Sequence, residues 1–174
     1  VFPVQWVNRP NDSFRGFSGY VGEGQVKVGD EILVKLSGHT AAVAEIVSMD
    51  GPLQQAVSGD AVTLKLDKEI DASRGDIISL SQRPLETTDQ FEATLVWMAD
   101  EAMYPGRPYL LKIGTRTVNA TITESKYRVN VNTLEQLAAK QLDLNEIGVV
   151  NLSLDRPVAF DPYRDNREMG GFIL

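Results

Sequence analysis

The sequence contains no cysteine. That excludes disulfides, thiolate metal sites and cysteine nucleophiles, and it fits a reducing compartment. His39 is the only histidine, so no two-histidine metal motif can form. His39 also lacks a nearby orienting partner in its Ser-Gly-His-Thr context and reads as a solvated turn residue rather than a general base. No apolar run approaches the roughly 20 residues of a membrane span, and no charged-then-apolar signal segment opens the sequence. Basic residues are outnumbered: 17 Lys and Arg face 24 Asp and Glu, for a net charge of −7. This balance disfavours a non-specific grip on nucleic acid or an anionic membrane, which needs clustered cations. No G-x-x-x-x-G-K-[ST] string occurs. Gly22-Glu23-Gly24 resembles the start of a phosphate loop but lacks the lysine and the helix, so it reads as a turn.

What is present is β grammar. At 174 residues and 43 % hydrophobic, the chain can build one core or two small ones. The stretch Arg15–Asp30 reads as a hairpin, with Gly22 and Gly24 supplying positive φ for the reversal and Val26 and Val28 on one face. Phe2, Val4 and Trp6 share a face, and Pro3 suggests an edge strand. Residues Asn8–Ser13 read as a polar turn. Ala41, Val43, Val47 and Met49 share parity, with Glu45 as the misfit. Further strands are predicted at 32–36, 62–66 and 77–80. After a polar, proline-containing linker, more follow at 91–97, 109–113, 118–122, 127–131, 149–154 and 158–160. Strands this short and regular, with turn signals between them, indicate barrels or sandwiches. Thr133 and Gln136 form a capping-box pattern ahead of Leu134, Leu137 and Ala138, which predicts one short helix ending near Leu142. Trp6 and Trp97 are expected as core anchors.

The expected architecture is therefore all-β: two tandem antiparallel β-barrels over 1–83 and 89–174, linked by 84–88, with one short helix in the second. The chain ends inside an apolar strand, so a truncated final strand and an excised fragment are expected. The resulting open edge is expected to invite edge-mediated self-association or to leave the C-terminus disordered.

Candidate chemistry is sparse. Asp161, Asp165 and Glu168 could form a carboxylate metal site, but Arg164 and Arg167 interleave with them, which favours mutual ion pairing. Arg9, Arg15, Arg74 and Arg107 lie beside glycine or proline. With Arg164 and Arg167 they are the candidates for contact with a partner, since arginine is favoured at interfaces. No catalytic, cofactor-binding or metal-binding residue is assigned.

A resemblance carries the rest. The hairpin-like stretch with its V-K-V-G-D-E run is similar to elongation factor Tu, whose domains two and three are β-barrels. Longer strings, FPVQWVNRPNDSFRGFSG at 2–19, MDGPLQQAVSGDAVTL at 49–64, EIDASRGDII at 69–78, YPGRPYLLKIGTRTVNATIT at 104–123 and LNEIGVVNLSLDRPVAFDPYRDNREMGGFIL at 144–174, resemble the large, GTP-binding subunit of bacterial sulfate adenylyltransferase. The resemblance covers essentially the whole chain. It implies a cytoplasmic parent that couples GTP hydrolysis to synthesis of adenosine 5′-phosphosulfate from ATP and sulfate. The GTP and Mg2+ would bind in a GTPase domain outside this sequence, with no cofactor in the barrels. The implied partners are that GTPase domain and a small catalytic subunit, with no nucleic acid and no membrane. The competing resemblance is to the barrel pair of a translation-elongation GTPase that holds aminoacyl-tRNA.

Overall fold

The computed structural model describes residues 1–11 and 14–174. The tip of the predicted 8–13 turn, Asp12 and Ser13, lies outside the described residues. The elements are β1 (Phe2–Asn11), β2 (Phe14–Tyr20), β3 (Gln25–Lys27), β4 (Glu31–Val34), β5 (Thr40–Ser48), β6 (Gly51–Leu53), β7 (Gln55–Val57), β8 (Ala61–Leu66) and β9 (Ile77–Leu80), then β10 (Glu86–Val96), β11 (Pro108–Ile113), β12 (Arg116–Val129), β13 (Gln136–Leu137), β14 (Ile147–Phe160), α1 (Arg167–Gly170) and β15 (Phe172–Ile173). The chain divides into two compact units: unit one is 1–87, 112–117 and 158–173, and unit two is 88–111 and 118–157 with Leu174. Residues 112–117 and 158–173, placed by the sequence in the second barrel, thus cluster with the first.

In unit one the strands run β4-β9-β1-β2-β8-β5-β6, and β4 also pairs with β5, which closes the sheet into a barrel. Its interior is filled by Phe2, Val4, Phe17, Ile32, Val34, Ile46, Leu64 and Ile78. Closure removes the free edges that an open sheet would leave. Pro3 sits near the start of β1, an interior strand opposite Ile77, and not at an edge. That position is tolerated because a strand's first residues need fewer ladder donors.

The predicted hairpin over 15–30 does not form. β2 pairs with β1 and β8, and β3 pairs with β7. Pairing across the barrel wins because it buries Val26 beside Ala56 in the core. Gly24 has φ +77, as the turn requires, whereas Gly22 is not in the left-handed region.

Two β-bulges flip side-chain parity. A register shift between Val4 and Trp6 moves Trp6 off the core face, and it is 64 % exposed instead of anchoring the core. A second shift between Val43 and Glu45 explains the Glu45 misfit: Ile46 takes the buried position, and Met49 is fully exposed.

The strands of unit two run β10-β14-β12-β11, with β13 added to β12. The pairs predicted as separate strands at 118–122 and 127–131 are one strand, β12, with two register shifts against β14, at Ile122/Glu124 and Ser125/Tyr127. Trp97 is buried as expected. Its Nε1 donates to Glu101 O at 2.7 Å, and its ring meets Tyr109 edge-on at 5.6 Å. In unit one, β15 pairs Phe172 and Ile173 with Ile113 and Lys112, so these C-terminal residues are neither disordered nor unpaired.

The helix predicted over 133–142 is absent. Asn130 Oδ1 accepts from Asn132 N and Thr133 N, Leu134 turns into the left-handed region at φ 61, and Gln136–Leu137 join the sheet. Residues 131–138 are exposed, so a helical apolar stripe would have had nothing to bury against. Leu134 is 76 % exposed at a backbone angle that costs an L-residue about 1–2 kcal/mol. Leu134→Gly is therefore expected to raise stability by roughly 0.5–1 kcal/mol, net of the flexibility glycine adds to the unfolded chain, read from urea midpoints. The only α-helix among the described residues is the single turn α1, capped by Asn166.

Also in unit two, Asp155 on β14 accepts from both Asn119 N and Asn119 Nδ2, at 3.1 and 2.8 Å. These bonds, with Arg156, hold its carboxyl below the ordinary carboxylate range. Such a group adds stability above its ordinary value and loses it as pH falls through the lowered one. Asp155→Asn should flatten the acid limb of the stability-versus-pH curve, measured as urea midpoints. An unchanged slope would show that Asp155 contributes nothing to acid sensitivity.

Candidate functional site

The six candidate arginines separate by location. Arg9 on β1 and Arg15 on β2 come together, since their neighbours Asn8 and Gly16 face each other in the β1–β2 ladder. Arg9 lies 3.7 Å from Glu69, with both side chains largely exposed. Arg15 donates to Ala72 O at 3.4 Å, and its guanidinium sits 5.5 Å from the Phe17 ring centroid. Both side chains thus reach the 67–72 connection, where a recess of about 150 Å3 is lined by Arg15, Phe17, Lys65, Lys68, Glu69 and Ile70. Lys65 lies 5.7 Å from the Phe14 ring and 3.5 Å from Glu45. The sequence placed Arg9 and Arg15 in turns. Both occupy strands, which fixes their backbone direction.

Arg74 is exposed in the turn before β9, a turn closed by Ser73 N donating to Asp76 Oδ2 and by Gly75 at φ +99. Arg107 belongs to unit two and pairs with Glu101 at 3.2 Å. Arg164 and Arg167 flank Asn166 and are both exposed. Arg164 pairs with Asp165 at 3.2 Å.

Of the carboxylates in this last segment, Asp165 is ion-paired as expected, whereas Asp161 and Glu168 have other partners. Asn166 is 7 % exposed. Its Oδ1 accepts from Glu168 N and Met169 N, each at 3.2 Å, and its Nδ2 donates to Glu23 Oε2 at 3.0 Å and Asp161 Oδ2 at 3.3 Å. One amide thus caps α1 and ties the segment 158–173 to the Gly22–Gly24 turn. Glu168 hydrogen-bonds Tyr20. Burial first, then the charge and hydrogen bond of Glu168, hold the Tyr20 phenol above its ordinary value. Among the described residues no group of three or more His, Cys, Asp or Glu is placed to hold a metal ion, and no helix is long and apolar enough to cross a membrane. His39 is exposed in its turn.

The sequence missed Asn166, Glu23 and Tyr20. A local signal existed: asparagine two positions before Glu168 is a favoured N-cap arrangement. The link to Glu23, 143 residues away, leaves no trace in the sequence.

Residues 90–174 match the GTP-eEF1A C-terminal domain-like family. Over 99 % of its length the chain is 51 % identical to a bifunctional enzyme CysN/CysC of Xylella fastidiosa and 48 % identical to a sulfate adenylyltransferase subunit 1 of Aliivibrio fischeri. It spans only 28 % and 36 % of those proteins, about a third or less of their length. Among solved structures, Sup35 complexed with GMPPNP superposes over 98 % of this chain and 42 % of its own, with a TM-score of 0.86 at 18 % identity, a likeness of fold alone. Over its whole length the chain is a homologue of one segment of the sulfate adenylyltransferase subunit 1 proteins, built on the tandem β-barrel fold of translation-factor-like GTPases.

Proposed function

We propose that this chain is the non-catalytic barrel region of a sulfate adenylyltransferase GTPase subunit. In this reading the whole protein couples GTP hydrolysis to synthesis of adenosine 5′-phosphosulfate from ATP and sulfate in the cytoplasm. GTP and Mg2+ bind in the GTPase domain, and the barrels carry that domain and dock the small catalytic subunit. The nucleotide state changes how the GTPase domain packs on the barrels, and the barrels relay that change as a rigid-body movement. The observation that carries the reading is near-50 % identity along the entire chain to proteins named for this activity.

The surface with the best contact chemistry is the strand pair β1–β2. It carries the exposed Trp6 on its outer face and, at its end on the face of Val7 and Phe17, Arg9 and Arg15. Tryptophan and arginine are the residue types that dominate binding energy at interface centres. A pull-down of the small catalytic subunit on the immobilised 174-residue chain tests the reading. Capture is expected, with Trp6→Ala and Arg15→Glu each weakening it about tenfold or more. No capture, under conditions where a full-length subunit 1 does capture it, would overturn the docking role. Retention of aminoacyl-tRNA on a filter at low salt, where phosphate contacts are strongest, would instead favour the translation-factor reading.

A further inference from the structure

Strand β2 carries Arg15 on the same side as Phe17, whose ring is buried in the barrel core, so Arg15 stands at the end of the barrel just past the packed layer. The 67–72 connection covers this end and sends Ile70 and Ala72 into the core. Between them lies the recess of about 150 Å3, with Phe17, Leu66 and Ile70 as its apolar wall. That is several times the roughly 30 Å3 share of one water.

The charges around the recess offset one another with one exception. Glu69 is held by Arg9 at 3.7 Å, and Lys65 by Glu45 at 3.5 Å. Asp67 is directed to β5, where its Oδ1 accepts from Ala42 N at 2.9 Å, and Lys68 beside it offsets its charge. Arg15 is left over. Its side chain is half-buried, and it has no ion-pair partner among the described residues. Its hydrogen bond to Ala72 O, at 3.4 Å, uses one of the five guanidinium donors. A cation drawn partly out of water without a counter-ion is costly, and it is unexpected in a chain whose net charge is −7.

We propose that this recess receives one aspartate or glutamate side chain of the small catalytic subunit, its carboxylate forked on the Arg15 guanidinium and its methylene stem against Leu66 and Ile70. The inference rests on the docking role proposed above and names the chemistry of the contact. Charge complementarity selects the class. One positive charge lacks a counterpart, and one carboxylate answers it. A dianion such as phosphate would bring a second charge beside Asp67 and Glu69 and would lose its water against apolar side chains. The planar guanidinium also matches the two carboxylate oxygens. The source is a docked protein because Arg15 stands with Arg9 at the end of the strand pair that carries Trp6, within the surface such a partner would cover.

The test repeats the pull-down on the immobilised 174-residue chain with Arg15→Gln and Arg15→Lys, and with small-subunit variants in which each Asp or Glu is changed in turn to Asn or Gln. Both Arg15 variants are expected to weaken capture about tenfold, the lysine because it keeps the charge and loses the fork. One of the small-subunit variants should weaken capture by the same factor and add nothing on the Arg15→Gln chain. The urea midpoint of Arg15→Gln should not fall, since the arginine has no counter-ion in the free chain; a purely structural role, tying down the 67–72 connection through Ala72 O, would lower it. Full capture by Arg15→Lys would overturn the proposal. So would the absence of any partner carboxylate coupled to Arg15, or a loss of capture matched by a fall in the midpoint. In each of these cases capture by the native chain would leave the docking role standing, whereas no capture by the native chain would remove that role and the proposal with it.

Discussion

A Gly19→Ala variant is expected to lose about 3 kcal/mol or more of stability, at the top of the range for overpacking a closed core. Gly19 faces Val4 in the β1–β2 ladder, and a Cβ there would stand 2.3 Å from Pro3 O and 3.1–3.2 Å from the Phe2 ring. Pro3 O belongs to the backbone of an interior strand paired on both sides, so it cannot retreat without disrupting two ladders. The contrast with two other glycines isolates this cause. At Gly16 the obstructing atoms are the Thr63 methyl at 2.4 Å and the Phe14 ring at 2.9 Å, side chains that can rotate, so alanine should cost less. At Gly59 nothing lies within 4 Å, and the cost is only the left-handed backbone at φ +95, about 1–2 kcal/mol. Urea midpoints should therefore fall most for Gly19→Ala. A loss no larger than that at Gly59 would show that β1 yields, and that the close approach is not what fixes glycine there.

Strand positions were legible because period-two alternation survives in nearly every segment, from Val62, Leu64 and Leu66 to Val118, Ala120 and Ile122. What alternation cannot carry is a bulge. One inserted residue reverses the parity downstream of it, so Trp6 read as core and lies outside, while Glu45 read as an error and is a solvated residue at a register shift. Partner choice was equally hidden. Arg15–Asp30 has every local feature of a hairpin, but ladders with β1, β7 and β8 bury more apolar surface than a local reversal would. The 133–142 segment shows the converse: its local helical signal had no surface to pack on, and the Asn130 turn prevailed. The interface arginines were legible as residue types. Their grouping depended on strand register, which single positions do not encode.

Asn166 is the second position where a large effect is expected, and its sign depends on pH. Asn166→Ala removes the cap of α1, worth about 1 kcal/mol, and also the one amide that donates to Glu23 and Asp161. Asn166→Asp keeps a capping oxygen at a helix N-terminus, where negative charge is ordinarily favoured. However, it replaces that donor with a third carboxylate facing two others. Repulsion raises the new carboxyl's affinity for protons in the folded state. The destabilisation is therefore full above the ordinary carboxylate range and is relieved as pH falls, when the introduced carboxyl takes up a proton and regains an O–H to donate. At about pH 7 the expected order of stability is the native chain, then the Ala variant, then the Asp variant, with the Asp variant overtaking Ala near about pH 4.5. Hydrogen exchange at Gly170 N and Gly171 N, which donate to Asn166 O and Arg167 O, reports the opening of the segment directly. If the Asp variant is as stable as the native chain at neutral pH, the amide of Asn166 does not hold the two carboxylates. The tie between residues 158–173 and the Gly22–Gly24 turn must then come from the burial of Met169 with Ile77, Leu85 and Ala159 and from the Glu168–Tyr20 hydrogen bond.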